Sequence, residues 1–191
     1  MALYTKATLV EISKSLSEPL TKSATMLREE AERVPLTASF DIFLSHSYLD
    51  APLIRALSHD IRRMGFSVYV DWIADKDLSR DSVTRATAER LRQRMDRSAA
   101  LMFATSANSS SSVWMPWELG YFDGSKGRAA VLPVLESGTT NTFRGREYLG
   151  LYPYVVKDPT REGDMTLWIH EDATTYVAFT DWLAGKTPFP R

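Results

Sequence analysis

The feature that most constrains the fold is an alternation of short apolar runs with amphipathic segments, repeated four or five times from Phe40 onward. The apolar runs have the length and composition of strands, and the segments between them carry apolar residues at helical spacing. Strands that alternate with helices need crossover connections, which produce a mainly parallel sheet. Because the runs are apolar throughout, helices should cover both faces of the sheet. The sequence therefore predicts a doubly wound α/β domain.

The predicted elements give this domain a five-stranded sheet. Strands are expected at residues 40–44, 66–70, 99–104, 129–135 and 152–156, and helices at about 53–64, 82–97 and 113–122. Asp50 is the predicted N-cap of the first of these helices, and Gly65 follows its end. Five strands favour the flavodoxin-like order 2-1-3-4-5, in which ligands bind beyond the carboxyl ends of the first and third strands. That rule indicates the loops at residues 45–50 and 105–112.

Two segments flank the predicted domain. Residues 8–33 carry one apolar helical stripe that contains Pro19, which predicts a kink or two shorter helices. A further strand is expected at residues 167–169 and a helix at 173–183. We therefore expect an N-terminal helical arm (1–37), the α/β domain (38–158) and a C-terminal strand and helix extension packed on the domain (159–191). The arm either packs on its own domain or supports assembly of several copies.

The bulk composition excludes several classes of protein. The 23 basic and 24 acidic residues give a net charge of −1, which does not indicate a nucleic-acid or membrane partner. The arginines of residues 85–97 form a cluster that Glu89 and Asp96 interrupt, which is typical of a solvated helix face. Cysteine is absent, so disulfides and thiolate chemistry are excluded, and the composition fits a reducing compartment. Without a leader-like or membrane-spanning apolar run, we expect a cytoplasmic protein.

The sequence lacks the motifs of several activities that occur on this fold. The first strand is followed by neither a phosphate-binding loop nor a glycine-rich dinucleotide fingerprint, and no G-x-S-x-G segment occurs. The third strand lacks the terminal aspartate of a phospho-acceptor domain. The histidines His46, His59 and His170 do not have zinc-ligand spacing. We therefore expect no metal and no bound cofactor.

The strongest candidate site lies on the helix that follows the third predicted strand. Trp114 and Glu118 are four residues apart and therefore project from one helix face. An indole can stack on a sugar ring, and a carboxylate can bind hydroxyls and stabilise a developing cation. Packing in the core is the alternative role for Trp114. The hypothesis requires Glu118 to face the rim of the sheet. A carboxylate sealed in the interior, or one pointing to solvent away from any cleft, would refute the enzymatic role and leave only the architecture.

At these residues the sequence resembles the Toll/interleukin-1 receptor (TIR) domain family. Residues 41–46 (DIFLSH) look like the first TIR box, and Val70-Asp71-Trp72 with its acidic continuation resembles the second strand and the following BB loop. Trp114 and Glu118, followed by Leu119, match the W-x-x-x-E motif. The resemblance spans residues 39–156. Within the family, the sequence is similar to stand-alone bacterial TIR proteins, including those of anti-phage systems such as Thoeris.

The resemblance implies cleavage of the bond between nicotinamide and ribose in NAD⁺, to ADP-ribose or to a cyclic isomer. Glu118 would be the catalytic residue, and NAD⁺ would be a substrate rather than a cofactor. Ser45, His46, Ser47, Trp72 and Trp114 are the expected substrate-binding residues. For the Ser45–Ser47 turn, hydrogen bonding that only supports the next helix is an equal alternative.

The resemblance also implies partners and leaves two other functions open. TIR domains associate with one another, which would let the loop at residues 71–80 of a neighbour complete the pocket, and the product would act on a separate effector protein. One alternative is a non-catalytic adaptor that acts through TIR–TIR association. The other is an enzyme like the nucleoside 2-deoxyribosyltransferases, which use a related architecture and a glutamate.

Overall fold

A computed structural model of the chain describes residues 2–16, 22–70, 85–138 and 142–191. Its helices are α1 (Lys6–Lys14), α2 (Ser23–Arg33), α3 (Ala51–Arg63), α4 (Arg85–Asp96), α5 (Trp114–Lys126) and α6 (Phe179–Leu183). Its strands are β1 (Tyr4–Thr5), β2 (Phe40–Ser45), β3 (Val68–Val70), β4 (Ser98–Thr105), β5 (Ala129–Leu135), β6 (Tyr154–Pro159), β7 (Met165–His170), β8 (Thr175–Ala178) and β9 (Phe189–Pro190).

The strands form one sheet in the order β3-β2-β4-β5-β6-β7-β8-β9. The first five of these pair in parallel, and β7, β8 and β9 pair antiparallel. In chain order the parallel part reads 2-1-3-4-5, so the predicted flavodoxin-like topology is confirmed. It brings the carboxyl ends of β2 and β4 together.

Side-chain alternation along the strands divides the core into two layers. Ile42, Leu44 and Met102 pack with α3 on one face, whereas Phe43 and Leu101 pack with α4 and α5 on the other. Both faces are therefore covered, as the unbroken apolar strands predicted. Gly65 ends α3 with φ of +92°, a left-handed conformation that glycine adopts without steric cost.

The N-terminal segment forms two helices, one of the two arrangements that Pro19 allowed; Pro19 itself lies outside the described residues. Leu9 and Leu27 are buried against α3, and Arg62 of α3 pairs with Glu30 at 2.5 Å. The apolar stripe of the arm is thus covered by its own domain. The fully buried Arg94 donates to the carbonyl oxygens of Val34 and Pro35 at the end of α2, so it does not share the predicted solvated face.

The short strand β1, which the sequence did not predict, lies beside β5. Tyr4 and Thr5 pair in parallel with Val134 and Leu135, whereas β6 pairs with β5 nearer the start of β5, at Val131. The Tyr4 hydroxyl donates to Asp60 at 2.8 Å, and Lys157 donates to the same carboxylate oxygen at 2.6 Å. The beginning of the chain is therefore joined to both α3 and β6.

The C-terminal segment differs from its predicted secondary structure. Residues 173–183 were expected to form one helix, but residues 175–178 form β8 and only Phe179–Leu183 is helical. The Asp172 side chain accepts hydrogen bonds from the backbone N–H groups of Thr174 and Thr175, at 2.7 and 2.8 Å, and this turn folds β8 back on β7. No helix in the described part of the chain has the length and apolar content that a membrane crossing requires.

Candidate active site

The alternation of side chains along β2 determines the direction of Ser45. Ile42 and Leu44 point toward α3 and Phe43 toward α5, so Ser45 also points toward α5. There its hydroxyl donates to Oε2 of Glu118 at 2.5 Å. This hydrogen bond links the carboxyl end of β2 to α5, at the point where the strand order reverses.

Glu118 lies on the buried face of α5, together with Met115, Leu119 and Phe122. Its side chain is only 2% exposed. The carboxylate lies at the rim of the sheet beside Ser45, but it is covered in this conformation, so a catalytic role requires the covering side chains to move. A carboxylate on an apolar helix stripe is costly to bury unless it is hydrogen-bonded. Such groups are common at functional sites, where the chemistry requires them.

Trp114 lies one helical turn before Glu118 and is 8% exposed. Its ring packs in the apolar layer under α5 and meets Trp117 edge-to-face, with the ring centroids 5.2 Å apart. Packing in the core, the alternative role, is therefore observed. Its indole Nε1 is buried and has no hydrogen-bond partner among the described residues. Trp72 and the loop at residues 71–80 lie outside the described residues.

The turn after β2 is buried rather than open to a pocket. His46 and Ser47 are 6% and 2% exposed. Nδ1 of His46 lies 3.2 Å from the carbonyl oxygen of Leu44, which accepts its hydrogen bond. Burial lowers the pKa of His46 from 6.5 to about 4, although the hydrogen bond to Leu44 and the nearby Asp50 act in the opposite direction. The ring is therefore neutral at neutral pH.

Asp50 has a role that sequence reasoning missed. It occupies the N-cap position of α3, but its side chain makes no capping hydrogen bond, which corrects the prediction. The carboxylate is 3% exposed and accepts hydrogen bonds from the Ser106 hydroxyl and, at 2.7 Å, from the Asn108 amide. Asp50 therefore ties the loop after β2 to the loop that leads into α5. The sequence signal for this contact was an acidic residue in one of the two loops that the topology rule indicated, and hydrogen-bond donors in the other loop.

The site combines a fixed carboxylate, a hydroxyl donor and an apolar surrounding. Among residues 2–16, 22–70, 85–138 and 142–191 there is no cluster of three or more His, Asp or Glu side chains that could hold a metal ion. The described groups offer an acidic side chain in a poorly hydrated place. In its ionised form this side chain would stabilise a positive charge that develops next to it, because little solvent screens the interaction.

Comparisons with known proteins agree with this geometry. A family model described as "TIR domain" matches residues 42–160. The chain is 46% identical to "Probable 3' cyclic ADP-D-ribose synthase ThsB'" of Bacillus cereus (strain MSX-D12), over 96% of this chain and 98% of that protein. It is 34% identical to "Putative cyclic ADP-D-ribose synthase TIR2" of Cytobacillus dafuensis, over 49% of this chain and 25% of that protein. The chain belongs to the TIR domain family.

Proposed function

We propose that the protein cleaves the bond between nicotinamide and ribose in NAD⁺ and closes the remaining ADP-ribose into a cyclic product, in defence against phage. The observation that carries this proposal is the Glu118 carboxylate, buried at the switch point of a TIR sheet and hydrogen-bonded to Ser45. The name of the 46% identical relative, a cyclic ADP-D-ribose synthase, supports the same reaction.

The chemistry assigns one task to each of the two residues. When the bond breaks, nicotinamide leaves as a neutral molecule with the bonding electron pair, and the ribose carbon becomes oxocarbenium-like. Glu118 stabilises this positive charge and orients the ribose by accepting hydrogen bonds from its hydroxyls. Ser45 acts as a positioning residue, because its hydroxyl holds the carboxylate from the side of β2.

The burial of the site favours cyclisation over hydrolysis. A hydroxyl of the same ADP-ribose and a water molecule compete for the cationic ribose carbon, and either attack releases one proton. If the side chains that cover Glu118, which is 2% exposed in the described conformation, close again over bound NAD⁺, little water remains around the ribose carbon, and this favours the internal hydroxyl. The relative's name specifies a 3′ cyclic product, and we propose the same linkage here.

The same burial requires an opening step. NAD⁺ reaches the carboxylate only after the side chains that cover it move, as in enzymes whose lids open on the microsecond to millisecond scale. A covered resting site also protects cellular NAD⁺ from cleavage until the protein is activated. We therefore propose that the described conformation is the inactive one.

The decisive experiment compares products from NAD⁺ by chromatography and mass spectrometry. Glu118→Gln and Glu118→Ala should lose about 10²–10³-fold in rate, with circular dichroism spectra like that of the parent. The matched control Glu162→Gln alters an exposed loop carboxylate and should keep full activity. Full activity in either Glu118 variant would refute the role of Glu118, and absence of any NAD⁺ cleavage by the concentrated, activated protein would leave the adaptor function.

We also propose that the protein self-associates through TIR–TIR contacts and that its product acts on a separate effector. The apolar side chains of Leu49 and Val113, 63% and 76% exposed, follow β2 and precede α5 and support a contact at this rim. Light scattering with and without NAD⁺ tests the first part: a monomer at all concentrations in which NAD⁺ is cleaved would contradict it.

A further inference from the structure

A second concave region lies beside the candidate site. A cavity of about 590 Å³ lies at the carboxyl end of β4, next to the start of α5, and Glu118 is not among its lining residues. Its walls come from the loop at residues 105–112 and the segment at residues 143–149. The volume is in the range of pockets that hold small organic ligands.

The charged groups of the cavity favour an anion. Arg144 and Arg146 line it, are exposed, and have no ion pair or side-chain hydrogen bond with any residue in the described ranges. Glu147 also lines the cavity, so the net charge of the lining is +1. Guanidinium groups bind phosphate oxygens through paired N–H donors. The two arginines are thus available to a phosphate-bearing ligand.

Hydroxyl groups on the opposite wall supply further donors. Ser112 Oγ accepts a hydrogen bond from the backbone N–H of Met115 at 3.4 Å, which leaves its own proton for a ligand. Ser110 also lines the cavity and makes no side-chain hydrogen bond within the described residues. These hydroxyls face the same space as the arginines.

The same two walls also carry apolar and aromatic side chains. Phe103, Phe143, Tyr148 and Leu149 line the cavity, and Tyr148 is 42% exposed. Aromatic faces of this kind stack on nucleobases. The lining thus combines guanidinium groups and hydroxyls, which bind phosphates, with aromatic rings, which stack on a base.

We propose that this cavity binds a nucleoside diphosphate. That chemistry has two sources, a free nucleotide or the ADP half of NAD⁺, and the second source rests on the proposed function. Ser45 and Phe103 are paired in register on β2 and β4, so their side chains lie on the same face, about 4.8 Å apart across the sheet. The cavity therefore begins about one strand spacing from the Ser45–Glu118 pair.

Calorimetric titration with ADP tests the site directly. The parent protein should bind ADP, and the double variant Arg144→Glu with Arg146→Glu should bind it at least tenfold more weakly, with unchanged thermal stability because both side chains are exposed. The lysine variants at both positions should recover most of the affinity. Arg161→Glu, a charge reversal on an exposed loop outside the cavity, is the matched control and should bind ADP as the parent does. Absence of ADP binding by the parent, or parental affinity in the double variant, would overturn the inference.

NAD⁺ kinetics distinguish the two sources. If the cavity holds the ADP half of the substrate, the double variant should raise KM at least tenfold with little change in kcat. Weakened ADP binding with unchanged KM assigns the cavity to a separate nucleotide. Glu118→Gln should keep ADP affinity in both cases, so a failure of the catalytic proposal and a failure of this one give different results.

Discussion

Protonation of His46 should destabilise the fold by an amount that can be measured. A pKa that falls from 6.5 in the unfolded chain to about 4 in the folded protein means that folding favours the neutral ring. The contribution of the neutral ring to the free energy of unfolding is fully present above pH 6.5 and is lost as the pH falls toward 4. The complete loss corresponds to about 3 kcal/mol, and about 2 kcal/mol of it should already be gone at pH 5.

Urea denaturation of the parent and of His46→Asn from pH 8 to pH 4.5 measures this loss. The asparagine amide can replace Nδ1 as the donor to Leu44 but does not titrate, so its stability should fall less steeply with acid. The difference between the two free energies of unfolding isolates His46 from other groups, including the buried His170, whose pKa is also lowered by burial. A difference that is constant across this pH range would refute the reasoning.

Three further substitutions test the contacts around the site and the N-terminal arm. Ser45→Ala removes the donor to Glu118 and should lower NAD⁺ turnover about tenfold or more, as measured by nicotinamide release. Asp50→Ala leaves a hydroxyl and an amide of the loop at residues 105–112 without their acceptor and should cost about 2–4 kcal/mol in urea denaturation. Tyr4→Phe removes a buried hydroxyl bonded to α3 and should cost about 1–2 kcal/mol, visible as a lower Tm. Parental values in these assays would contradict the roles assigned to the three side chains.

The parallel part of the fold was predictable because its signals are local and strong. The strand–helix alternation fixed the fold class, and five strands favoured the order that the sheet adopts. The third predicted helix was expected to begin at about residue 113, and Val113 is the observed N-cap. The candidate site on this helix was identified from the spacing of Trp114 and Glu118, which requires no knowledge of the tertiary structure.

The missed features depend on contacts between distant segments. Strand β1 has only two residues and is defined by its pairing with β5, so no periodicity marks it. The helix predicted at residues 173–183 failed because Thr175, Tyr176 and Val177 favour a strand once β7 is beside them. The covered position of Glu118 could not be read from the W-x-x-x-E spacing, because burial depends on which elements pack over the helix.

The last strand has a consequence for how copies of the protein can be arranged. Strand β9 contains only Phe189 and Pro190, and Arg191 lies over the Phe189 ring with 4.2 Å from the guanidinium carbon to the ring centroid. Proline has no N–H to donate, and two residues offer too short a ladder for a neighbouring chain. The β9 edge of the sheet is therefore a poor template for strand addition, so a filament of this protein would not be expected to grow by pairing of strands at β9.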